Sequence, residues 1–421
     1  MSRPRVVVVG AGFGGINTVR ALREAPVDVV VVDRDNYHGF WPLLYQVATA
    51  GLAAEDIAHP IRSLFSGQHN VDVRLGTVTG LDTGNRRLIL EDEEPLAYDY
   101  LVLAAGSVTA TFGVQGVEEH AYPLKTVPDA IRLRNHLLTR FERADADPSI
   151  VPGHGLDVVV VGGGPTGVEV AGALIELIHR DLSRDFHHLR LTAVEVTLVE
   201  MLDDVLTPFS QRSRARAAAE LRARGVKLRL GTPIAAVHPG GVDLTDGTTV
   251  PAGTVVWAAG VRPNPLAERL GLRLAKDGAV EVGEDLCVPG HPEVFVIGDL
   301  ASTPAGLPRL APVAIQGGRH TAATIVRRLE GRPTKRFRYR DKGTMATIGR
   351  RAAVADLPLG IRLGGTVGWL AWLGVHLVFL IGFRRRVLVL ITWAWNYVTW
   401  ENGNRAIVTE DVHSPTGRER A

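Results

Sequence analysis

The chain has almost no cysteine and almost no net charge. Cys287 is the single cysteine among 421 residues, and there are three methionines. One cysteine excludes an internal disulfide framework and any CxxC or CxxxxC redox pair, so Cys287 reads as a small buried hydrophobe. With 47 basic and 45 acidic residues the formal charge is +2, which gives no global attraction for nucleic acid, and no such partner is expected. Low-complexity segments are absent, and no metal site is expected. The early apolar run Val6–Val9 is too short for a signal-peptide core and leads straight into a glycine turn; it reads as a strand and the protein as intracellular. What remains is length and 46% hydrophobic content, enough for two or three domains with a sizeable core.

Two glycine-rich turns organise that length. GAGFGG spans Gly10 to Gly15, behind the β-branched run Arg5–Val9 and ahead of a helical pattern, Ile16–Arg23. A second strand, Val27–Val32, ends in Asp33, which completes a βαβ unit. Gly10 suits the tight turn, Gly12 the approach of a pyrophosphate to the helix N-terminus, Gly15 close helix–strand packing, and Asp33 the ribose hydroxyls.

The pattern recurs. Asp157–Val161 is a strand, Gly162, Gly164 and Gly167 form the turn GGGPTG, Val168–Ile178 is helical, and Glu195–Val199 is the next strand, ending at Glu200. The acid arrives late because a polar insert, His179–Val194, intervenes; it reads as a solvated extension of the helix. Glu200 would bond a free ribose 2′-hydroxyl and repel a 2′-phosphate, and no arginine follows within five residues, so NADH is favoured over NADPH.

Each unit is followed by a strand ending in small residues, LVLAAG at Leu101–Gly106 and VVWAAG at Val255–Gly260, where the chain can cross close to a dinucleotide. The segment VFVIGDLA, Val294–Ala301, places Asp299 behind Gly298 at a strand end. That carboxylate could bond ribityl hydroxyls beside a following helix N-terminus, or simply cap a helix. The order of these five motifs is far more specific than any one of them.

This order resembles the two-dinucleotide-binding flavoproteins of glutathione-reductase type, an α/β fold with two Rossmann-like domains. The single cysteine excludes their disulfide-reductase chemistry and argues against sulfide oxidation through a cysteine pair. Closer similarity is to the type II NADH dehydrogenases, single-chain NADH:quinone oxidoreductases. It is carried by Asn36–Leu52 (NYHGFWPLLYQVATAGL), Gly162–Gly172 (GGGPTGVEVAG), Val296–Ala301, Ala314–Gly318 (AIQGG) and the hydrophobic C-terminal region. The resemblance implies non-covalent FAD at Gly10, Gly12, Phe13, Gly14, Gly15, Asp33, Arg34, Val78, Ala105, Gly106, Gly298 and Asp299. It implies NADH at Gly162, Gly164, Pro165, Thr166, Gly167, Glu200 and Gly260, with hydride passing to the flavin and two electrons then reaching a quinone. Glu169, expected in the first helical turn, would assist proton or quinone handling, although the helix dipole alone favours a glutamate there. The family's quinone motif carries two glutamines after an alanine. Here Pro312 follows Ala311 and Gln316 alone remains, as a quinone contact or a helix cap.

The C-terminal region changes character. Eight basic residues and one acid lie between Arg332 and Arg351, and Gly364–Phe383 then carries no charge unless His376 is protonated. Arg384, Arg385 and Arg386 follow, then the apolar run Val387–Trp400; five of the seven tryptophans, Trp369, Trp372, Trp393, Trp395 and Trp400, fall here. Tryptophan beside arginine suits a membrane interface, and the expected structure is a membrane-anchoring pair of helices. A spanning hairpin and a buried core are the alternatives; the resemblance favours a peripheral, monotopic anchor on the cytoplasmic face, with lipid and quinone as partners and a homodimer left open. His376 either faces a quinone tunnel or, as lone histidines on apolar helices usually do, bonds a backbone group. The resulting domains are FAD-binding at 1–113 and 278–336, NADH-binding at 114–277 and membrane-associated at 337–421, with a mobile polar tail from Glu401. A soluble reductase would share both nucleotide motifs and lack the tryptophan-rich tail; a flavin-based redox sensor would bind both nucleotides with little turnover.

Overall fold

The computed structural model describes residues 3–380, 383–399 and 403–407. They form two compact units. The first comprises residues up to Gly39, His59–Val108 and Val261–Asp341; the second comprises Phe40–Ala58, Thr109–Gly260 and the chain from Lys342.

The core of the first unit is a six-stranded sheet. Its spatial order is Cys287–Val288, His291–Val296, Tyr100–Leu103, Arg5–Val9, Asp28–Asp33 and Val71–Leu75. Arg5–Val9 pairs in parallel with Asp28–Asp33 on one side (Val7 opposite Val30) and with Tyr100–Leu103 on the other (Val7 opposite Leu101). Val6, Val7 and Val8 are wholly buried, as an unbroken β-branched run requires of a central parallel strand. Chain order reverses at this strand, so its C-terminal end opens onto the crevice where such sheets bind ligands.

The helix Phe13–Ala21 lies against the sheet, and the helix Ala311–Leu329 lies against that helix. Gly318 explains their closeness: a Cβ there would stand 2.3 Å from the Gly14 carbonyl oxygen. The AIQGG glycines are therefore packing residues. No helix directly follows Asp299, contrary to expectation; Gly298–Leu300 is a single 3₁₀ turn, a short strand follows, and the next helix begins at Ala311.

The second unit is built around five parallel strands in the order Ala121–Pro123, Thr254–Trp257, Val158–Val161, Val196–Val199 and Lys227–Arg229. Its first glycine-turn helix runs Pro165–Glu176 and then widens into a π-helical segment, Leu177–Leu182. The insert is thus no solvated extension. Asp181, Leu182, Leu191 and Val194 are buried, because the widened turn folds the chain back and His179 Nε2 meets the Val194 carbonyl at 2.9 Å.

The C-terminal region opens with a sheet where helices were expected. Thr344–Gly349, Ala352–Asp356 and Arg362–Gly364 form an antiparallel three-stranded sheet. Two helices follow, Gly365–Phe379 and Phe383–Thr399. Among the described residues no helix is long and apolar enough to cross a membrane. At about 1.5 Å per residue, neither 15 nor 17 residues reach across a hydrocarbon core of about 30 Å.

The tryptophans also depart from expectation. Trp369, Trp372 and Trp393 are buried, and Trp395 is exposed; Trp400 lies outside the described residues. The indoles face inward because they have partners there: Trp393 Nε1 donates to Gln46 Oε1 at 2.8 Å, and Trp372 stacks on His376 with ring centroids 4.0 Å apart. Aliphatic side chains instead face outward, including Val367, Leu370, Val378, Leu390 and Ile391. Arg405 is held by an ion pair to Asp185 at 2.8 Å, so this part of the tail is anchored; the chain beyond residue 407 lies outside the described residues.

Candidate active site

The two glycine turns share one geometry. Gly10 and Gly162 have φ of 96° and 107°, open to glycine and strained for other residues. A Cβ on Gly10 would lie 2.5 Å from Ala104 O, and one on Gly162 would lie 2.9 Å from Ala258 O, so the small residues of both AAG segments do cross at the turns. At Gly15 and Gly167 a Cβ would collide at 1.8 Å with the carbonyl oxygens of Gly10 and Gly162. Gly12 and Gly164 differ: a Cβ there meets no protein atom within 4 Å. Each caps a helix with no side-chain hydrogen bond, so no side chain covers the N-terminal end of either helix. A pyrophosphate fits such a cradle, by charge and by shape. Phe13 begins the first helix, its ring edge-on to His38 at 5.2 Å, and Pro165 takes the favoured first position of the second, followed by the exposed Thr166.

Both terminal acids reach back to their turns. Asp33 Oδ2 accepts from Ala11 N at 2.6 Å and Oδ1 from Asp35 N at 2.9 Å. Glu200 repeats this with Gly163 N at 2.5 Å and Leu202 N at 2.9 Å. Burial pushes the Asp33 carboxyl above its ordinary range, and the Ala11 and Asp35 N–H groups pull it back. A carboxylate has about four acceptor sites, so both acids retain lone pairs for ribose hydroxyls.

The first unit adds three residues that sequence reasoning missed. Ser107 Oγ donates to Asp299 Oδ2 at 2.5 Å, and Asn264 grips the first AAG segment through Nδ2 to Ala105 O at 3.1 Å and its backbone N–H to Gly106 O at 3.1 Å. Ser107 directly follows the first AAG motif and Asn264 lies four residues past the second, a signal that was available. His38 is buried beneath the turn with Nδ1 2.8 Å from Ala11 O, and desolvation lowers its pKa to about 4, so the ring is neutral.

Of the remaining candidates, Gly298 (φ 67°) packs on Ala314, and Gly260 (φ 74°) lies against Phe112. Val78 is buried at the start of a strand, whereas Arg34 is exposed and pairs with its neighbour Asp35 at 3.7 Å. Gln316 clamps the backbone of Arg340: its Nε2 donates to Arg340 O at 2.9 Å and its Oε1 accepts from Arg340 N at 3.0 Å. Pro312 sits in the first turn of that helix, where its missing N–H costs nothing.

Glu169 lies beyond the first turn, which holds no acid, so a dipole role does not account for it. It is buried where its own helix packs on the Thr344–Gly349 strand. Gly172 lets the strand approach, a Cβ there falling 2.3 Å from Ile348 O, and Thr347 N then reaches Glu169 Oε1 at 3.3 Å. Desolvation dominates and raises the carboxyl to about 8, against lesser pulls from Thr347 N–H and the Trp372 indole. Such a group is a neutral acid at pH 7, poised for proton transfer. His376, by contrast, donates from Nδ1 to Trp372 O at 2.7 Å, and burial lowers its pKa to about 4; the backbone-bonded alternative is the one realised.

Doubled dinucleotide turns of this kind define a class. Residues 4–318 match the family model of pyridine nucleotide-disulphide oxidoreductases, and residues 342–399 match the NDH2 C-terminal domain. The chain is 38% identical over 434 residues to a type II NADH:quinone oxidoreductase of Mycobacterium tuberculosis, covering 99% of this chain and 93% of that one. It is 33% identical over 441 residues to an internal alternative NAD(P)H-ubiquinone oxidoreductase of Arabidopsis thaliana mitochondria, covering 94% and 84%. In fold it is similar to the structure of NDH2 from Plasmodium falciparum in complex with NADH, with a TM-score of 0.88 over 97% of this chain and 100% of that one, at 19% identity. The chain belongs to the type II NADH:quinone oxidoreductases.

Proposed function

We propose that the protein oxidises NADH and reduces a membrane quinone through non-covalent FAD, without pumping protons. The observation that carries this reading is the pair of glycine cradles, each open at Gly12 or Gly164 and each backed by a terminal acid. Bound FAD would supply the two-electron chemistry that links NADH oxidation to quinone reduction. Gly12, in the turn that Gly10 and Gly15 close, would hold its pyrophosphate, Asp33 its ribose, and Asp299, oriented by Ser107, its ribityl chain. Phe13, Gly14, Ala105, Gly106 and Gly298 would flank the FAD at the turn and at the strand ends. Gly162, Gly164, Gly167 and Gly260 do the same for NADH, and Glu200 selects the free 2′-hydroxyl. The FAD-binding segments are 1–113 and 278–336, with NADH-binding residues between them.

Glu169 holds the proton that a reduced quinone requires, kept neutral by exclusion of water from around its carboxyl. Gln316 is reassigned to fixing the Arg340 backbone, because both ends of its amide are engaged there.

The C-terminal helices rest on a membrane without crossing it. Leu370, Val378, Leu390 and Ile391 present apolar surface that has no use in water, as an interfacial anchor does. The attached face is the cytoplasmic one. Reconstitution into vesicles tests the whole reading: NADH oxidation should reduce bilayer quinone with no pH gradient in the lumen. Failure to reduce quinone, or acidification coupled to turnover, would contradict it.

A further inference from the structure

The turn Thr111–Val114 carries a residue poorly suited to its shape. It closes with Val114 N donating to Thr111 O at 3.0 Å, and both central residues are left-handed, Phe112 at φ 53° and Gly113 at φ 71°. Turns of that pattern favour Asn-Gly or Gly-Gly, because a bulky side chain is strained at positive φ. Phe112 is also 71% exposed, so burial in a core does not offset the strain. What its ring meets is Gly260: a Cβ built there would fall 2.7 Å from the Phe112 Cζ atom. The loop is held in place at Ala110, whose N–H donates to Gly260 O at 3.3 Å and whose carbonyl accepts from the Trp257 indole at 2.8 Å. An exposed aromatic ring therefore stands on the last residue of the second AAG segment.

Sheet order decides which half of a dinucleotide would pass there. Val158–Val161, which leads into the glycine turn, has Val196–Val199 on one side and Thr254–Trp257 on the other. With the adenosine ribose on Glu200, just past Val196–Val199, and the pyrophosphate at Gly164, the remaining half runs past the end of Thr254–Trp257 and over Gly260. We propose that Phe112 is a binding residue for the nicotinamide end of NADH, an apolar plate beside Gly260 on which the nicotinamide ring stacks. Two flat rings gain from offset stacking beyond the area they bury, and a positively charged nicotinamide gains further over an aromatic face. Strained residues cluster where a ligand is clamped, which gives the left-handed phenylalanine a use. Gly260 belongs to the same device, since a side chain there would displace the plate.

The proposal rests on the NADH reading of the Gly162–Gly167 turn, and ADP-ribose, which keeps both riboses and lacks only the nicotinamide, separates the two. The purified protein is titrated by calorimetry with NAD+ and with ADP-ribose, neither of which carries a hydride to transfer, as wild type, Phe112→Asn and Phe112→Tyr. The wild type should bind both. Asparagine adopts the left-handed turn more readily, so Phe112→Asn should unfold at the wild-type temperature or above it. It should bind ADP-ribose unchanged and NAD+ roughly three- to tenfold more weakly, with KM for NADH rising in step, whereas Phe112→Tyr keeps the wild-type affinity. Equal NAD+ affinity in wild type and Phe112→Asn overturns the proposal. So does an equal loss with both ligands, which would tie the ring to the half they share. A lower unfolding temperature with NAD+ affinity intact makes Phe112 a packing residue on Gly260. A wild type that binds neither ligand removes the NADH reading of the turn, and the proposal with it.

Discussion

Gly15 and Gly10 are packed so closely that a Cβ on Gly15 would stand 1.8 Å from the Gly10 carbonyl oxygen, and Gly167 and Gly162 repeat the relationship at the same distance. Gly12 has no such neighbour. The two positions should therefore fail differently. Gly15→Ala should destabilise the protein by about 3 kcal/mol or more, through a backbone collision that no rotamer relieves. Gly12→Ala should fold with native circular dichroism and stability yet purify without flavin. A colourless Gly15→Ala of wild-type stability, or a fully yellow Gly12→Ala, would show that these glycines are not divided between packing and ligand.

Glu200 carries two tasks, holding Gly163 N and Leu202 N and meeting a ribose. Glu200→Gln keeps an acceptor for the turn but loses the charge. A hydrogen bond to a charged group contributes about 1.5–3 kcal/mol, so KM for NADH should rise roughly tenfold or more, and discrimination against NADPH should shrink. Steady-state kinetics with both nucleotides checks this; an undiminished preference for NADH would place selectivity elsewhere.

Glu169 makes stability depend on pH in a definite direction. Its folded pKa of about 8 exceeds the ordinary 4.5, so between these values the folded protein holds a proton that the unfolded chain has released. Stability is then highest below about pH 4.5 as far as this group is concerned, declines as pH rises toward 8, and levels off above it. Thermal unfolding at pH 5 and pH 8 should show a larger drop in Tm for the wild type than for Glu169→Gln. Parallel behaviour would mean that Glu169 is not buried neutral.

The outward aliphatic face of the C-terminal helices should be separable from catalysis. Leu370→Asp combined with Ile391→Asp adds charge to exposed positions and removes nothing from the core. Binding to lipid vesicles in a flotation assay should weaken by about tenfold or more, while NADH:menadione activity in water persists. Undiminished flotation would assign membrane contact to another surface.

Much of this was readable in the chain because backbone geometry leaves a residue-level imprint. A turn at φ of 96° demands glycine, a central parallel strand demands a run such as Val6–Val9, and both recur in order with their acids. The second link of each acid, back to Ala11 N or Gly163 N, was hidden because backbone donors carry no sequence signature. The tryptophans misled for a related reason. Composition alone does not reveal whether an indole finds a buried acceptor, and Gln46, distant in sequence, is the one that turns Trp393 inward. The π-helical segment at Leu177–Leu182 likewise follows from packing of Leu182, Leu191 and Val194, residues scattered through a stretch that is polar on average. Glu169 was found, but its environment depends on Thr347 and Trp372, from the sheet and helix of the C-terminal region, whose sheet was not anticipated.

The central claim is that one flavin passes electrons from NADH to quinone. Anaerobic stopped-flow spectroscopy of the purified protein tests it in two mixes. NADH should bleach the oxidised flavin absorbance within the turnover time, and menadione added next should restore it in full without oxygen. A protein that purifies colourless from flavin-replete cells, a flavin that NADH does not bleach, or a reduced flavin that quinone leaves unchanged would contradict the account.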